Sequence, residues 1–153
     1  MPGIWVLELS KGVMLISKKF LVDTNILFYI VDKNESKKHE AAKKWFCSML
    51  GKKDYYISLQ NLREFASVAI QKSSYTAIEI KEQMDTFSKS FPVINDTTDD
   101  CFEAVELSRS LGIKYWDSLL IATMKRNGIK KIITEDSKDF GKYANIKCIN
   151  VIA

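Results

Sequence analysis

The sequence predicts one α/β domain built on a central, mostly parallel five-stranded sheet flanked by helices. Three observations lead there. Short apolar runs of three to five residues alternate with longer stretches of helical periodicity. Parallel neighbours need crossover connections, and a helical stretch stands between each of the first three runs and the next. The 153 residues are 46% hydrophobic with only two prolines and six glycines, which suits one real core and leaves no linker, repeat or low-complexity segment.

Each element has its own warrant. Phe20-Leu21-Val22 is an apolar run ending at Asp23 and reads as a buried strand, with a helix over 24–31 behind it. From Ser36, a cap candidate, Ala41, Ala42, Trp45, Phe46, Met49 and Leu50 fall at helical spacing, and Gly51 stops the pattern. The lysine pairs at 37–38 and 43–44 lie largely off that stripe. Residues 55–58 form the second strand. A helix over 59–71 turns Leu62, Phe65, Ala66, Ala69 and Ile70 inward, and a longer one covers 75–90. Residues 92–94 are the third strand. Asp96 or Thr97 caps the helix at 98–111, which Gly112 ends. A helix over 116–127 carries Leu119, Leu120, Ile121 and Met124 to Gly128, and strands at 131–134 and 147–151 complete the sheet.

The domain is expected over 20–153. Residues 1–19 are an N-terminal extension, of which 1–13 are either an extra edge strand or the product of an upstream start codon. Met1 to Leu9 is apolar but lacks a basic n-region and a convincing cleavage site, so it is a poor signal peptide. No apolar run approaches the roughly 18–20 residues that span a bilayer, which excludes a membrane-spanning helix. Cys47, Cys101 and Cys148 are odd in number and show no CxxC or CxH spacing, which argues against a disulfide framework or a zinc cluster. Reduced core thiols in a cytoplasmic protein are the expectation. His39 is the only histidine, so a Ser-His-Asp or Cys-His mechanism would rest on one side chain at the polar start of a helix. Carboxylates are left to carry any chemistry.

The net charge of +4 divides into +5 over residues 1–53, −5 over 54–110 and +4 over 111–153. Basic segments around an acidic one are compatible with a polyanionic substrate. Lys37, Lys38, Lys43, Lys44, Lys114, Arg126, Lys130 and Lys131 are candidates for phosphate contact, and Tyr55, Tyr56, Tyr115 and Trp116 for base stacking. Solvated helix faces and core aromatics account for them equally well.

In a parallel sheet, strand ends and the following helix starts face one edge, where ligands bind. Asp23 follows the first strand, Glu64 lies in the first turns of the helix after the second, Asp117 opens the helix before the fourth, and Asp136 follows the fourth. Singly, each has a structural reading: Asp23 and Asp117 as helix-start acids, Glu64 as a partner of Lys72, and Asp136 as a turn residue. Gathered together they repel and need a counterion, and all-oxygen donors suit Mg²⁺ or Mn²⁺.

The run FLVDTNILFYIVD, the later SLQNLREF, the block YWDSLLIATMKRNGIKKIITED and the trailing DF of Asp139-Phe140 resemble a PIN domain. They are most similar to the small VapC-type toxins of toxin–antitoxin pairs. The resemblance implies a metal-dependent endoribonuclease with Asp23, Glu64, Asp117 and Asp136 as catalytic and metal-ligating acids. Asn25, Ser118 and Thr134 match polar neighbours that orient ligands and waters. TEDSKDF carries one residue more than the common TxDxDF ending, so Glu135 and Asp139 compete with Asp136 for the fourth position. One or two Mg²⁺ ions would acidify water, orient its attack and neutralise the charge developing on the phosphate. The resemblance also implies 5′-phosphate and 3′-hydroxyl products, an RNA substrate that is single-stranded or looped, a cognate antitoxin that blocks the acidic site, and a homodimer through the helices around 60–71 and 75–90.

Other readings remain at this point. A phosphatase of the haloacid dehalogenase type would want an acid where Asn25 stands, and a receiver domain would want an acidic pair near the first strand. A PIN fold that only binds RNA or assembles, or a PIN nuclease of RNA processing, differs from the toxin only in what the chain does in solution.

Overall fold

The computed structural model describes residues 6–9, 12–15, 18–72 and 74–153. Strands β1 (Val6–Leu9) and β2 (Gly12–Leu15) pair antiparallel as a sheet of their own. What was expected of residues 1–5, 10, 11, 16 and 17 lies outside the described residues.

From β3 (Phe20–Val22) the chain runs through α1 (Thr24–Val31) and α2 (Ser36–Met49) to β4 (Tyr55–Ser58). It continues through α3 (Leu59–Gln71) and α4 (Ala77–Ser90) to β5 (Val93–Ile94), then through α5 (Thr98–Leu111) and α6 (Tyr115–Arg126) to β6 (Lys131–Ile133). A short α7 (Ser137–Phe140) leads to β7 (Lys147–Ile149). The second sheet has the order β5-β4-β3-β6-β7 and every pair in it is parallel. The expected five-stranded α/β fold is therefore present. The chain builds outward from β3 on one side, then crosses to build outward on the other, so strand order reverses at the carboxyl end of β3.

Alternation along the strands makes two cores. Val22, Ile57 and Ile133 pack into a layer with Ile26, Phe65 and Phe87 from α1, α3 and α4. Leu21 and Ile132, one residue earlier, point to the other face and meet Leu120, Ile121 and Met124 of α6. Both faces of β3 are therefore sealed, and its register is fixed by apolar side chains on either side. Among the described residues, no helix is long and apolar enough to cross a membrane.

Several local expectations are revised. Ser36 is the first residue of α2 rather than its cap, and Glu35 at the cap position makes no side-chain capping bond. Helix α4 starts at Ala77, because Thr76 and Glu79 close a capping box there, while Tyr75 packs against the first core. Thr97 rather than Asp96 caps α5, in a box with Asp100. Ile70 is 68% exposed and Leu50 54%, both being at the edge of their helical stripes. The cysteines are free, but Cys47 is exposed and the other two are half-buried, so none is a core thiol. Gly112 ends α5 in the left-handed region at φ 65°, where a side chain would be strained. That turn buries Ile113 and starts α6 only three residues later, which sets the height of Asp117 against the sheet.

Candidate active site

Asp23 sits at the switch point. Its backbone N–H extends the sheet by bonding Ile133 O at 2.9 Å, and its carboxylate caps α1 by accepting from Thr24 N at 2.8 Å. The other carboxylate oxygen accepts from Thr134 Oγ1 at 2.7 Å and from Asn25 Nδ2 at 3.5 Å. The Thr134 hydroxyl also accepts from Asp136 N at 3.0 Å and from Asn25 Nδ2 at 3.3 Å. Its one proton and both lone pairs are thus in use, which pins its orientation toward Asp23.

Glu64, in the second turn of α3, is held from both sides. Thr24 Oγ1 donates to Oε2 and Gln60 Nε2 to Oε1, each at 2.9 Å. Thr24 is in turn fixed by Asn61 Nδ2 at 3.1 Å, and Asn61, fully buried, closes the capping box with Ser58. The chain Ser58, Asn61, Thr24, Glu64 ties the end of β4 to the start of α1. Lys72 is not the partner of Glu64; it pairs with buried Asp32 at 3.3 Å and lies over the Phe28 ring.

Asp117 is half-buried in the first turn of α6. Asp136 is exposed and caps α7, accepting from Lys138 N at 3.1 Å. Asp23, Glu64, Asp117 and Asp136 line one groove of about 410 Å³. Asn25 and Thr134 reach Asp23, as expected of orienting neighbours. Ser118 does something else: it is buried, and its hydroxyl donates to Lys114 O at 3.1 Å, back along its own helix.

The three C-terminal acids are placed differently. Glu135 forms an ion pair with Lys38 and accepts from Tyr29 OH at 2.8 Å. Asp136 faces the groove. Asp139 stands next to Asp117, close enough to raise its pKa, and lies 3.7 Å from Lys142. A fifth acid therefore stands behind the four. Among the described residues no three His, Cys, Asp or Glu side chains are placed to hold a metal ion together.

Burial lifts the Asp23 carboxyl to about 6, with the charges of Glu64 and Asp136 adding to it against the Thr134 and Thr24 hydrogen bonds. Asp117 is also raised to about 6, by burial first, then by Asp23 and by Asp139. An acid whose native pKa lies above its unfolded value destabilises the fold once ionised. Below about 4 both states hold the proton; through the window to about 6 only the native state does, and above it the full penalty applies. For Asp23 alone this is about 3 kcal/mol. In EDTA the melting temperature should therefore fall from pH 4.5 to 7.5, and millimolar Mg²⁺ should restore it at 7.5 but not at 4.5. A Mg²⁺ effect equal at both pH values would contradict this account. All-oxygen donors with unfavourable mutual repulsion fit a hard divalent cation.

Sequence reasoning missed Thr24, Gln60 and Asn61. The one available signal was the spacing Ser58-x-x-Asn61, a capping-box pattern, which places Asn61 in the buried first turn of α3.

The PIN domain family matches residues 20–146. No curated protein matches the chain in sequence. Among solved structures, a toxin–antitoxin complex from Klebsiella pneumoniae is 22% identical with a TM-score of 0.63, over 86% of this chain and 97% of that one. VapC20, a sarcin-ricin loop cleaving toxin from Mycobacterium tuberculosis, is 18% identical with a TM-score of 0.67, over 82% and 95%. VapBC2 from Rickettsia felis, bound to a promoter DNA fragment, is 19% identical with a TM-score of 0.66, over 86% and 97%. At these identities the likeness is one of fold.

Proposed function

Given that the chain belongs to the PIN domain family, we propose that it is a Mg²⁺- or Mn²⁺-dependent endoribonuclease, acting as the VapC-type toxin of a toxin–antitoxin pair in the cytoplasm. The observation that carries this reading is the gathering of four acids from four distant segments into one groove at the switch point of the sheet. The structural neighbours that are toxins, one of them cleaving the sarcin-ricin loop, support the same class of reaction.

Asp23 and Asp117 would hold the metal directly, with Glu64 and Asp136 completing the site directly or through water. The bound cation would supply charge neutralisation at the phosphate and acidify the attacking water. The chain's own part is geometric and electrostatic. Thr134 and the Thr24 amide fix both oxygens of Asp23; Thr24 and Gln60 fix both oxygens of Glu64. Asp139 gives Asp117 a neighbour with which to share a proton when no cation is present. A cognate antitoxin that occupies the groove, and a homodimer through α3 and α4, where Ile70 and Ile78 are exposed, belong to the same reading.

The test is cleavage of a mixed RNA pool by the purified chain with Mg²⁺, with Mn²⁺ and with EDTA. Cuts should appear with either metal and vanish in EDTA. Cleavage that persists in EDTA would refute the metal dependence. Absence of cleavage by folded, metal-supplied, antitoxin-free protein would favour a PIN fold that only binds RNA.

A further inference from the structure

A second depression, of about 300 Å³ and mostly apolar, opens beside the acidic groove between α3 and α6. Glu64 lines both hollows, and Trp116 of the second immediately precedes Asp117 of the first. Trp116 leaves 62% of its surface in solvent, although Leu119 and Leu120 of the same helix are buried. Arg63 stands on the rim, itself largely exposed and only 3.7 Å from Asp96. Gln60 lines the depression while being 94% buried, since only 6% of its surface is accessible. Its amide protons go to Glu64 Oε1 at 2.9 Å and Trp116 O at 2.8 Å, which leaves Oε1 an acceptor with no donor.

We infer that this depression is a subsite for one nucleobase of single-stranded RNA, adjacent to the phosphate that lies against Asp23 and Asp117. The inference rests on the ribonuclease reading and adds where the neighbouring base goes. An indole face beside an apolar floor suits a base, every one of which has a π face. The strand also carries phosphates for a rim guanidinium. Continuity with the groove favours this occupant: the two hollows share Glu64, and Trp116 is the residue before Asp117. Gln60 couples the two hollows, since one amide holds both the Glu64 carboxylate and the Trp116 carbonyl.

The test compares the full chain with Trp116→Ala and Trp116→Phe. Binding of a fluorescent single-stranded RNA 12-mer is read by anisotropy in EDTA at low salt, and cleavage sites are mapped in Mg²⁺. Trp116→Ala should bind about tenfold more weakly and cut with altered preference at the adjacent base, while Trp116→Phe keeps most of the affinity. The melting temperature should not move, the side chain being exposed. Unchanged affinity and cut sites in Trp116→Ala would overturn the subsite. So would a change of sedimentation in Trp116→Ala at unchanged RNA affinity, which would make the indole a contact between copies. Affinity is read without metal, so the two readings fail separately. A chain that binds through Trp116 yet never cuts would keep the subsite and sink the ribonuclease.

Discussion

Asp23→Asn should abolish RNA cleavage and at the same time stabilise the metal-free fold. The substitution keeps the shape of the side chain and an oxygen for the Thr24 amide, so α1 stays capped. It removes the charge that the cation would meet, which is worth several kcal/mol in the transition state and so at least about a hundredfold in rate. Stability moves the other way. Relief of the buried, repelled carboxylate is worth about 3 kcal/mol at neutral pH, since Asp23 is lifted to about 6. Against it stands the Thr134 hydroxyl, whose lone pairs are already taken, so it cannot welcome a new amide donor. Losing that bond costs about 1 kcal/mol, which leaves a net gain of about 2 kcal/mol. Asp117→Asn should follow the same pattern more weakly, being half-buried. Thermal melts in EDTA and cleavage assays in Mg²⁺ read both effects. A variant that cuts RNA at the wild-type rate would remove Asp23 from the site, and one that melts well below wild type would refute the electrostatic account.

Arg126→Ala should cost about 3–5 kcal/mol of stability. Arg126 was among the residues whose charge suggested phosphate contact, but the structure commits it elsewhere. Its Nε reaches both oxygens of Asp100 at 3.0 Å, and its guanidinium also donates to Asn95 O. Asp100 is only 2% exposed, and its remaining partners are Thr97 N at 2.9 Å and Thr123 Oγ1 at 3.5 Å. Removing the guanidinium strands a buried charge, and this is where the loss arises. Asp100→Asn together with Arg126→Met should recover much of it, because neither partner is then ionised. Urea denaturation of the single and double variants measures this. A loss below about 1 kcal/mol for Arg126→Ala would show that the pair is no more than a surface contact.

The long periodic elements were legible in the sequence because their apolar stripes were long enough to read, as with Leu119, Leu120, Ile121 and Met124 of α6. The four acids were legible for a different reason. In a parallel sheet, topology sends strand ends and the helix starts that follow them to one edge, which covers Asp23, Glu64 and Asp136. Asp117 depends on the turn at Gly112 before its helix. What stayed hidden was settled by single side-chain orientations. Four residues are too few for α7 to show a period, yet α7 presents Asp139 to Asp117. Nothing in TEDSKDF says that Glu135 will be paired with Lys38, from α2, nearly a hundred residues earlier. Gln60 and Asn61 look like ordinary polar helix residues until tertiary contact shows one holding Glu64 and the other holding Thr24. Ile70 and Cys47 were placed by residue type, but the helix phase put them outside.

The bond from Thr134 to Asp23 spans 111 residues of chain. β3 is made well before its neighbour β6, with β4, β5 and helices α1 to α6 between them in the chain. A nascent chain lacking β6 already carries Asp117, but it has no Thr134 to orient Asp23 and no Asp136 to complete the groove. The acidic groove is thus assembled only after β6 has been made. A chain cut short before β6 carries only part of that groove, whatever its first strands and helices do.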